Sequence, residues 1–404
     1  MLKKIGLLAA TGGIIAAIVA ATLGGKASAA AAKVSPSCKT GGIGFASVLS
    51  GPNAALGEDQ LHWAHVFLQY WNSGKPIVGL PKKFHRTKVK IVEVGDSQLN
   101  PQVAATVGGQ MVSNKKVLAM FGFVGSNETL GGGPVLDRGG LSYVTSSATR
   151  DDLAHKLKLF HRVVPNNLAQ ATLATKYLLS HKIIHKGEQA MVVDDAEAYA
   201  QNQADDIQKL LKAAGLKIDR ESVPESTANS NADFTAVANK AVAIHTGVVF
   251  APTQTASDSE LFTQQLKSAG YHGVFSAADG SFNSKQFNFP GAYLTYFGAD
   301  VTKVKVARPY LKTFTKEYGQ TIGFGPPTFT AMSMIAMAIS TACKDGNVSR
   351  KQVTNALHTT KLSNSITGIP IAFNFKGDLF KGPKKGVTYF HILPNGSYKQ
   401  VAAS

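Results

Sequence analysis

Met120-Phe-Gly-Phe-Val-Gly-Ser-Asn-Glu-Thr129 and, twelve residues on, Leu141-Ser-Tyr-Val-Thr-Ser-Ser-Ala-Thr-Arg-Asp-Asp-Leu153 decide how this chain is read. Each opens on an apolar run with strand character, Val117–Phe123 and Leu141–Thr145, and each run ends in a loop of small hydroxylated residues. A helix between them is expected to begin near Glu128. Two such loops at the carboxyl ends of neighbouring parallel strands form a polar crevice, the place where open α/β sheets hold ligands. Backbone N–H groups at a helix start, with Ser and Thr hydroxyls, suit a small carboxylate. Neither loop holds a nucleophile paired with a base, so the pattern points to holding rather than to chemistry.

Outward from this stretch, strand and helix patterns alternate. Gly42–Leu49 and Lys88–Val94 read as strands, Glu58–Trp71 and Pro101–Ser113 as helices, the latter with Asn100 as cap and Pro101 in its first turn. After Val163-Val164-Pro165 the pattern restarts with helices at Leu168–Leu179, Gln201–Ala214, Asp233–Ile244 and Ser257–Ala269. The strands between them are Gln189–Val193, Leu216–Val223, Gly247–Ala251 and Val274–Ala277. The last third is less regular: helices at Ala307–Tyr318, Thr328–Cys343 and Arg350–His358, then strands at Ile371–Phe375 and Val387–Leu393. Two parallel sheets covered by helices, with a tail that crosses back between them, follow from this order.

The 404 residues are 44% hydrophobic and carry a formal charge of +17, enough for a large core and two domains. The Lys-Lys pairs at 82–83, 115–116 and 384–385 are scattered. No basic stripe with interleaved aromatics marks a nucleic-acid partner. Lys3-Lys4, the apolar run Ile5–Leu23 and Ala27-Ser28-Ala29 have the order of a secretory signal over residues 1–29. An uncleaved membrane anchor is the other reading, because the apolar run approaches spanning length. Either way the chain is expected outside the cytoplasm, in the periplasm or cell envelope. There Cys38 and Cys343 form one disulfide or remain two thiols; the sequence leaves both open.

Several chemistries are absent. No Gly-x-Gly-x-x-Gly follows the first strand, and no phosphate-cradling Gly-x-x-x-x-Gly-Lys-Ser/Thr or Gly-x-Ser-x-Gly elbow occurs. Gly131-Gly132-Gly133 falls inside a helix, where it signifies close packing. His62/His65 and His181/His185 could share helix faces but lack a carboxylate or Cys at ligand spacing, so no metal and no cofactor is expected. Asp194-Asp195 at a strand end is read as capping; an acid/base pair of a secreted hydrolase is the rival reading.

From about Gly42 to the end, the chain resembles the periplasmic leucine/isoleucine/valine-binding proteins, type I solute-binding components of branched-chain amino-acid ABC transporters. The motifs are Leu49-Ser50-Gly51-Pro52 with Leu56-Gly57-Glu58, Asp96 with Asn100-Pro101-Gln102-Val103-Ala104, Phe160-His161-Arg162-Val163-Val164-Pro165, and Phe375-Lys376-Gly377-Asp378. The resemblance implies an α/β fold of two Rossmann-like lobes, the type I periplasmic-binding-protein fold, joined by three hinge crossings near Pro165, Tyr296–Gly298 and Thr367–Gly368. Residues 40–164 with 298–367 would form the first lobe and 165–297 with 368–404 the second. It also implies a non-enzymatic, monomeric protein that hands an amino acid to a membrane permease.

By the same resemblance, Ser126 and the loop Ser147-Ala148-Thr149 take the ligand α-carboxylate, with the Thr149 hydroxyl meeting the ammonium. Asp279 faces that ammonium from the second lobe, and Tyr199 closes over the ligand. A zwitterion loses hydration in a closed cleft, so both charged ends need dedicated partners. The alternative role for Asp279 is to cap a helix over Ser281–Phe287, and for Tyr199 it is packing. Two departures concern the ligand side chain: Leu56 replaces a frequent aromatic, and Pro252-Thr253-Gln254 replaces a Gly-Gly-Tyr-like loop. A tethered ligand-sensing receptor, or a binder of urea, short amides or aromatic acids, are the competing functions.

Overall fold

The structure is a computed structural model that describes residues 34–227, 230–379 and 386–404; the leader expected over 1–29 lies outside them. The chain opens with α1 (Pro36–Lys39), β1 (Thr40–Ser47), α2 (Ala54–Asn72), β2 (Lys88–Asp96), α3 (Pro101–Ser113) and β3 (Val117–Phe121). It continues with α4 (Ser126–Arg138), β4 (Tyr143–Thr145), α5 (Leu153–Lys156) and β5 (Phe160–Arg162). The five strands pair in parallel in the order β2-β1-β3-β4-β5. The third and fourth strands carry no exposed residue, as the apolar runs require of strands covered on both faces.

The second lobe runs through α6 (Asn167–Ser180), β6 (Gln189–Asp194), α7 (Ala198–Ala213), β7 (Lys217–Ser222), α8 (Thr235–Ala243), β8 (Val248–Ala251), α9 (Ala256–Ser268), β9 (Val274–Ala277) and β10 (Tyr293–Tyr296). The chain then returns with α10 (Arg308–Tyr318), α11 (Pro326–Ala342) and α12 (Arg350–Thr359). It ends with β11 (Lys361–Leu362), β12 (Ile371–Ala372), β13 (Thr388–Ile392) and β14 (Tyr398–Ala403). The second sheet is ordered β14-β13-β10-β9-β8-β6-β7. It is parallel from β7 to β10 and antiparallel at β13 and β14.

Helix α11 is apolar on every side because it is covered on every side: Pro326–Ser340 are all buried, against α2, α12 and strands of the first sheet. Cys38 and Cys343 form a disulfide that ties the end of this helix to the start of β1. The chain therefore crosses between the sheets after Arg162, between Tyr296 and Arg308, and again before Thr388. The third crossing does not follow the expected boundary at Thr367–Gly368. Gly368 packs beside Val304 at the second crossing, but β12 then turns back to pair with β11, and Ser363 of that hairpin donates to the Gly79 carbonyl of the first lobe.

Four strands, β5, β10, β11 and β14, carry no clear sequence signal. The first three are two to four residues long, and the last is an edge strand whose residues are all at least partly exposed. The helix over Ser281–Phe287 that the alternative, capping role of Asp279 required is absent, and a 3₁₀ turn stands at Asp279–Ser281. Side chains compete with the backbone there: the Asn283 carboxamide oxygen accepts from the Lys285 N–H at 3.1 Å, and Ser281 Oγ lies 2.7 Å from Ser259 Oγ.

The glycine triplet does serve close packing, inside α4. A Cβ on Gly131 would fall 2.2 Å from the Pro101 carbonyl oxygen, and one on Gly132 would meet the Phe123 ring at 2.4 Å. Alanine in place of Gly131 would gain about 1 kcal/mol of helix propensity, but the carbonyl it meets belongs to the backbone of α3 and cannot rotate away. Gly131→Ala is expected to destabilise the protein by about 1–3 kcal/mol, measured by urea unfolding. A stabilised variant would show that α3 and α4 slide apart freely.

Candidate functional site

The first lobe contributes the N-terminus of α4 and the loop after β4. Ser126 is the first residue of α4, so its N–H and that of Asn127 have no acceptor within the helix. The turn is fixed by Glu128, whose carboxylate accepts from the Gly125 N–H at 2.6 Å and whose pKa burial raises to about 7. Ser126 Oγ accepts from the Arg150 N–H at 3.2 Å, joining the two loops.

Within Ser147-Ala148-Thr149 the roles divide. Ser147 Oγ donates to the Val124 carbonyl at 2.8 Å and accepts from Gln60 Nε2 at 3.0 Å. The Ala148 N–H donates to Thr145 Oγ1 at 3.1 Å. These two residues hold the loop's shape, and the Ala148 N–H is spent on it. Thr149 Oγ1 is buried with no hydrogen-bond partner among the described residues.

The second lobe contributes Asp279, at the end of β9, and Tyr199, in the first turn of α7. Asp279 caps no helix. Its Oδ1 accepts from the Tyr199 hydroxyl at 2.9 Å and from Gln170 Nε2 at 2.7 Å. Burial raises its pKa to about 7, against the pull of those two donors. Tyr199 also accepts from the Gly280 N–H at 3.2 Å, which fixes its hydroxyl beside the acid. Asn167 bridges the lobes: its N–H donates to the Thr149 carbonyl at 2.9 Å and its Nδ2 to the Tyr199 carbonyl at 3.1 Å. A continuous run of hydrogen bonds thus leads from Thr149 in one lobe to Asp279 in the other.

Direct bonds across the cleft bring the lobes together: Asn127 Nδ2 to Glu197 at 3.0 Å, Arg150 Nη1 to the Ala198 carbonyl at 2.8 Å, and the Asp151 N–H to Asn202 at 2.9 Å. A cavity of about 360 Å³ lies between Ser50–Asn53 and Gln98–Asn100 of the first lobe and Glu225–Thr227 of the second.

Sequence reasoning missed Gln170, Asn167, Gln60 and Glu225. Nothing marks a buried Gln on a helix face until the fold shows what lies opposite it. Gln254 sits in the loop already noted as a departure. Asp194 and Asp195 both serve the backbone. Asp194 accepts from the Ala196 N–H and pairs with Arg220, and Asp195 accepts from the N–H groups of Glu197 and Gln254. Among the described residues no group of three His, Cys, Asp or Glu could hold a metal, and no helix is long and apolar enough to cross a membrane.

Two α/β lobes around a polar cleft define a binding protein of the type I periplasmic class. Residues 42–378 match the family model described as periplasmic binding protein, and the chain belongs to that family. It is 24% identical over 343 residues to the leucine-, isoleucine-, valine-, threonine- and alanine-binding protein of Pseudomonas aeruginosa, covering 83% of this chain and 86% of the relative. Among solved structures it resembles the branched-chain amino acid transporter substrate binding protein of Streptococcus pneumoniae in complex with isoleucine. That likeness has a TM-score of 0.73 and 21% identity, and covers 91% of this chain and 99% of the other. It also resembles a fatty acid ABC transporter substrate-binding protein from Thermomonospora curvata, with a TM-score of 0.75 and 16% identity, covering 90% and 92%.

The lobe contact contains two carboxyls that face each other. Asp206, one turn beyond Asn202 on α7, meets Asp151 of the first lobe, whose Oδ1 accepts from the Leu168 N–H at 3.1 Å. Burial first, then Asp151, pushes the Asp206 carboxyl well above the ordinary range; exposed Asp205 adds to this and Lys209 opposes it. With the lobes together Asp206 therefore holds its proton more tightly than when they part. Its contribution to closure is complete below the ordinary carboxylate pKa of 3.8 and is lost as pH rises toward the raised value. Ligand-free protein should be more closed at pH 5 than at pH 8 by small-angle X-ray scattering, and Asp206→Asn should shrink that difference. An unchanged difference in the variant would assign the effect to other groups.

Proposed function

We propose that this exported protein captures the zwitterion of an amino acid, of aliphatic or branched-chain type, between its lobes and delivers it unaltered to an ABC transporter permease. The observation that carries this reading is Asp279. It is a carboxylate 3% exposed, and both of its side-chain donors, Tyr199 and Gln170, fall on the same oxygen. The other oxygen, Oδ2, is the acceptor for a ligand ammonium. A purely anionic ligand such as a fatty acid would leave this buried acid facing a second negative charge, which is costly in a water-poor cleft.

The carboxylate end of the ligand falls to the α4 N-terminus, where the Ser126 and Asn127 N–H groups and the helix dipole favour negative charge. Thr149 Oγ1, without a partner among the described residues, completes the ammonium shell. The names of the Pseudomonas relative and of the isoleucine-bound Streptococcus structure agree with this ligand class. Closure then follows from ligand contacts to both lobes, and the closed shape is what a permease recognises.

Titration calorimetry with leucine tests this. Asp279→Ala should cost on the order of 2–4 kcal/mol of affinity. Asp279→Asn, which keeps the shape and an acceptor for Tyr199, should cost nearly as much. Ser126→Ala should cost less, because the backbone donors remain. Full affinity in both Asp279 variants would sink the assignment of the ammonium partner.

A further inference from the structure

Lys82-Lys83, one of the lysine pairs scattered along the sequence, does not stand alone in the fold. Residues 60–92 and 346–377 contain no Asp or Glu. The first stretch carries Lys75, Lys82, Lys83, Arg86, Lys88 and Lys90, and the second Arg350, Lys351, Lys361 and Lys376. The structure joins the two stretches: Ser363 Oγ donates to the Gly79 carbonyl at 3.1 Å, and a Cβ on Gly79 would lie 1.9 Å from the Asn364 carbonyl oxygen.

Where they meet, a groove of about 510 Å³ is lined by Leu80, Pro81, Lys361, Pro370 and Ala372. Lys82 and Lys83 follow Pro81 and are exposed, as is Lys361. Ala372 pairs with Lys361, and the chain then turns over Asn374–Gly377, the Gly377 N–H donating to the Asn374 carbonyl at 3.0 Å. Phe375 stands on that turn, within about 10 Å of Ala372 along the chain. It is 85% exposed, and Lys376 Nζ lies 5.5 Å from its ring centroid. Among the described residues no acid pairs with Lys82, Lys83, Lys361 or Lys376. Asp378, the nearest acid in sequence, is spent on Arg162. One exposed apolar side chain is ordinary; one on a turn, among lysines without acid partners, calls for an anionic surface.

We propose that this first-lobe face rests on an anionic membrane, with Phe375 at the level of the headgroups and Lys82, Lys83, Lys361 and Lys376 against lipid phosphates. A negatively charged leaflet attracts basic side chains within a Debye length, and an aromatic ring beside them adds apolar burial at the interface. A projecting turn suits a plane of headgroups, whereas a folded acidic partner would have to wrap around it to cover the ring. None of these residues belongs to the ligand cleft, so the inference is independent of what the protein binds there.

Co-sedimentation with lipid vesicles tests it. Val34–Ser404 form one compact unit, so the chain from Ala30 is used, without the apolar run that would itself enter lipid. It should bind vesicles of equal parts phosphatidylglycerol and phosphatidylcholine and ignore phosphatidylcholine alone. It should leave the anionic vesicles at about 1 M salt, where the Debye length is about 3 Å. A lysine near an anionic surface is worth about fivefold in partitioning, so Lys82→Gln/Lys83→Gln and Lys361→Gln/Lys376→Gln should each weaken binding by about twenty-five-fold. Phe375→Ser should weaken binding and leave its salt dependence unchanged. Lys212→Gln/Lys217→Gln, an equal loss of charge at exposed positions of the second lobe, should bind as the wild type does. Unchanged melting temperatures show that the variants are folded. No binding to the anionic vesicles, or an equal loss in the second-lobe variant, overturns the inference. Capture of polyglutamate in place of vesicles also overturns it and makes the partner an acidic polypeptide.

Discussion

The buried guanidinium of Arg162 is the constraint on which the cleft depends. It is fully buried at the end of β5, where the chain leaves the first lobe. Its Nε and Nη2 meet both oxygens of Asp378 at 2.8 and 2.6 Å, and its Nη1 donates to the Arg150 carbonyl at 2.7 Å. One planar fork therefore joins the first crossing, the returning tail and the loop that carries Thr149. A lysine could not make these three bonds in a single plane. Gly377 lets the tail approach: it sits at φ +85°, and a Cβ there would lie 1.9 Å from the Phe160 carbonyl oxygen, while its own carbonyl accepts from the Arg162 N–H at 3.1 Å. A charge buried so completely is tolerable only because each of its three nitrogens has a partner, so the three segments must keep their relative positions as the lobes move.

Around that fixed point the protein arranges charge against its own average. The chain is strongly basic, yet the second lobe's face of the cleft gathers Asp195, Glu197, Glu225 and Asp279. Burial pushes Asp195 and Asp279 to about 7, and burial with neighbouring Asp195 and Glu197 pushes Glu225 to about 9. Carboxyls that ionise reluctantly when the lobes meet are groups that a cation would relieve. The first lobe faces them with helix-terminal N–H groups and hydroxyls. The two walls thus differ in character, with carboxyls on the second lobe and mainly N–H donors and hydroxyls on the first.

Much of the fold could be read from the residues because its cause is local. Pro101–Ser113 is a helix whose cap, Asn100, accepts from the Gln102 and Val103 N–H groups as its position before Pro101 suggests. The apolar run around Thr328–Cys343 is long and uniform enough to announce a covered helix. The reading failed where causes are distant. Phe375 of the Phe-Lys-Gly-Asp tail motif is 85% exposed, and the residues of that motif that hold structure are Gly377 and Asp378, through a partner over two hundred positions away. For Asp279 a helix cap was the alternative to a ligand role, and only the lateral bonds of Tyr199 and Gln170 show that its carboxyl faces other side chains.

By itself the sequence determined the order of most strands and helices, the two-lobe class and the small polar loops that a carboxylate prefers. These follow from periodicity, capping and strand-end chemistry, all decided within a few residues of each other. The tertiary structure alone decided that Ala148 spends its N–H on Thr145, that Asn167 links Thr149 to Tyr199, and that Gln254 Oε1 is buried without a partner among the described residues. Each of these depends on which groups meet across tens of residues or between lobes, and hydrogen-bond satisfaction is a property of the assembled surface, with no periodic trace in the chain.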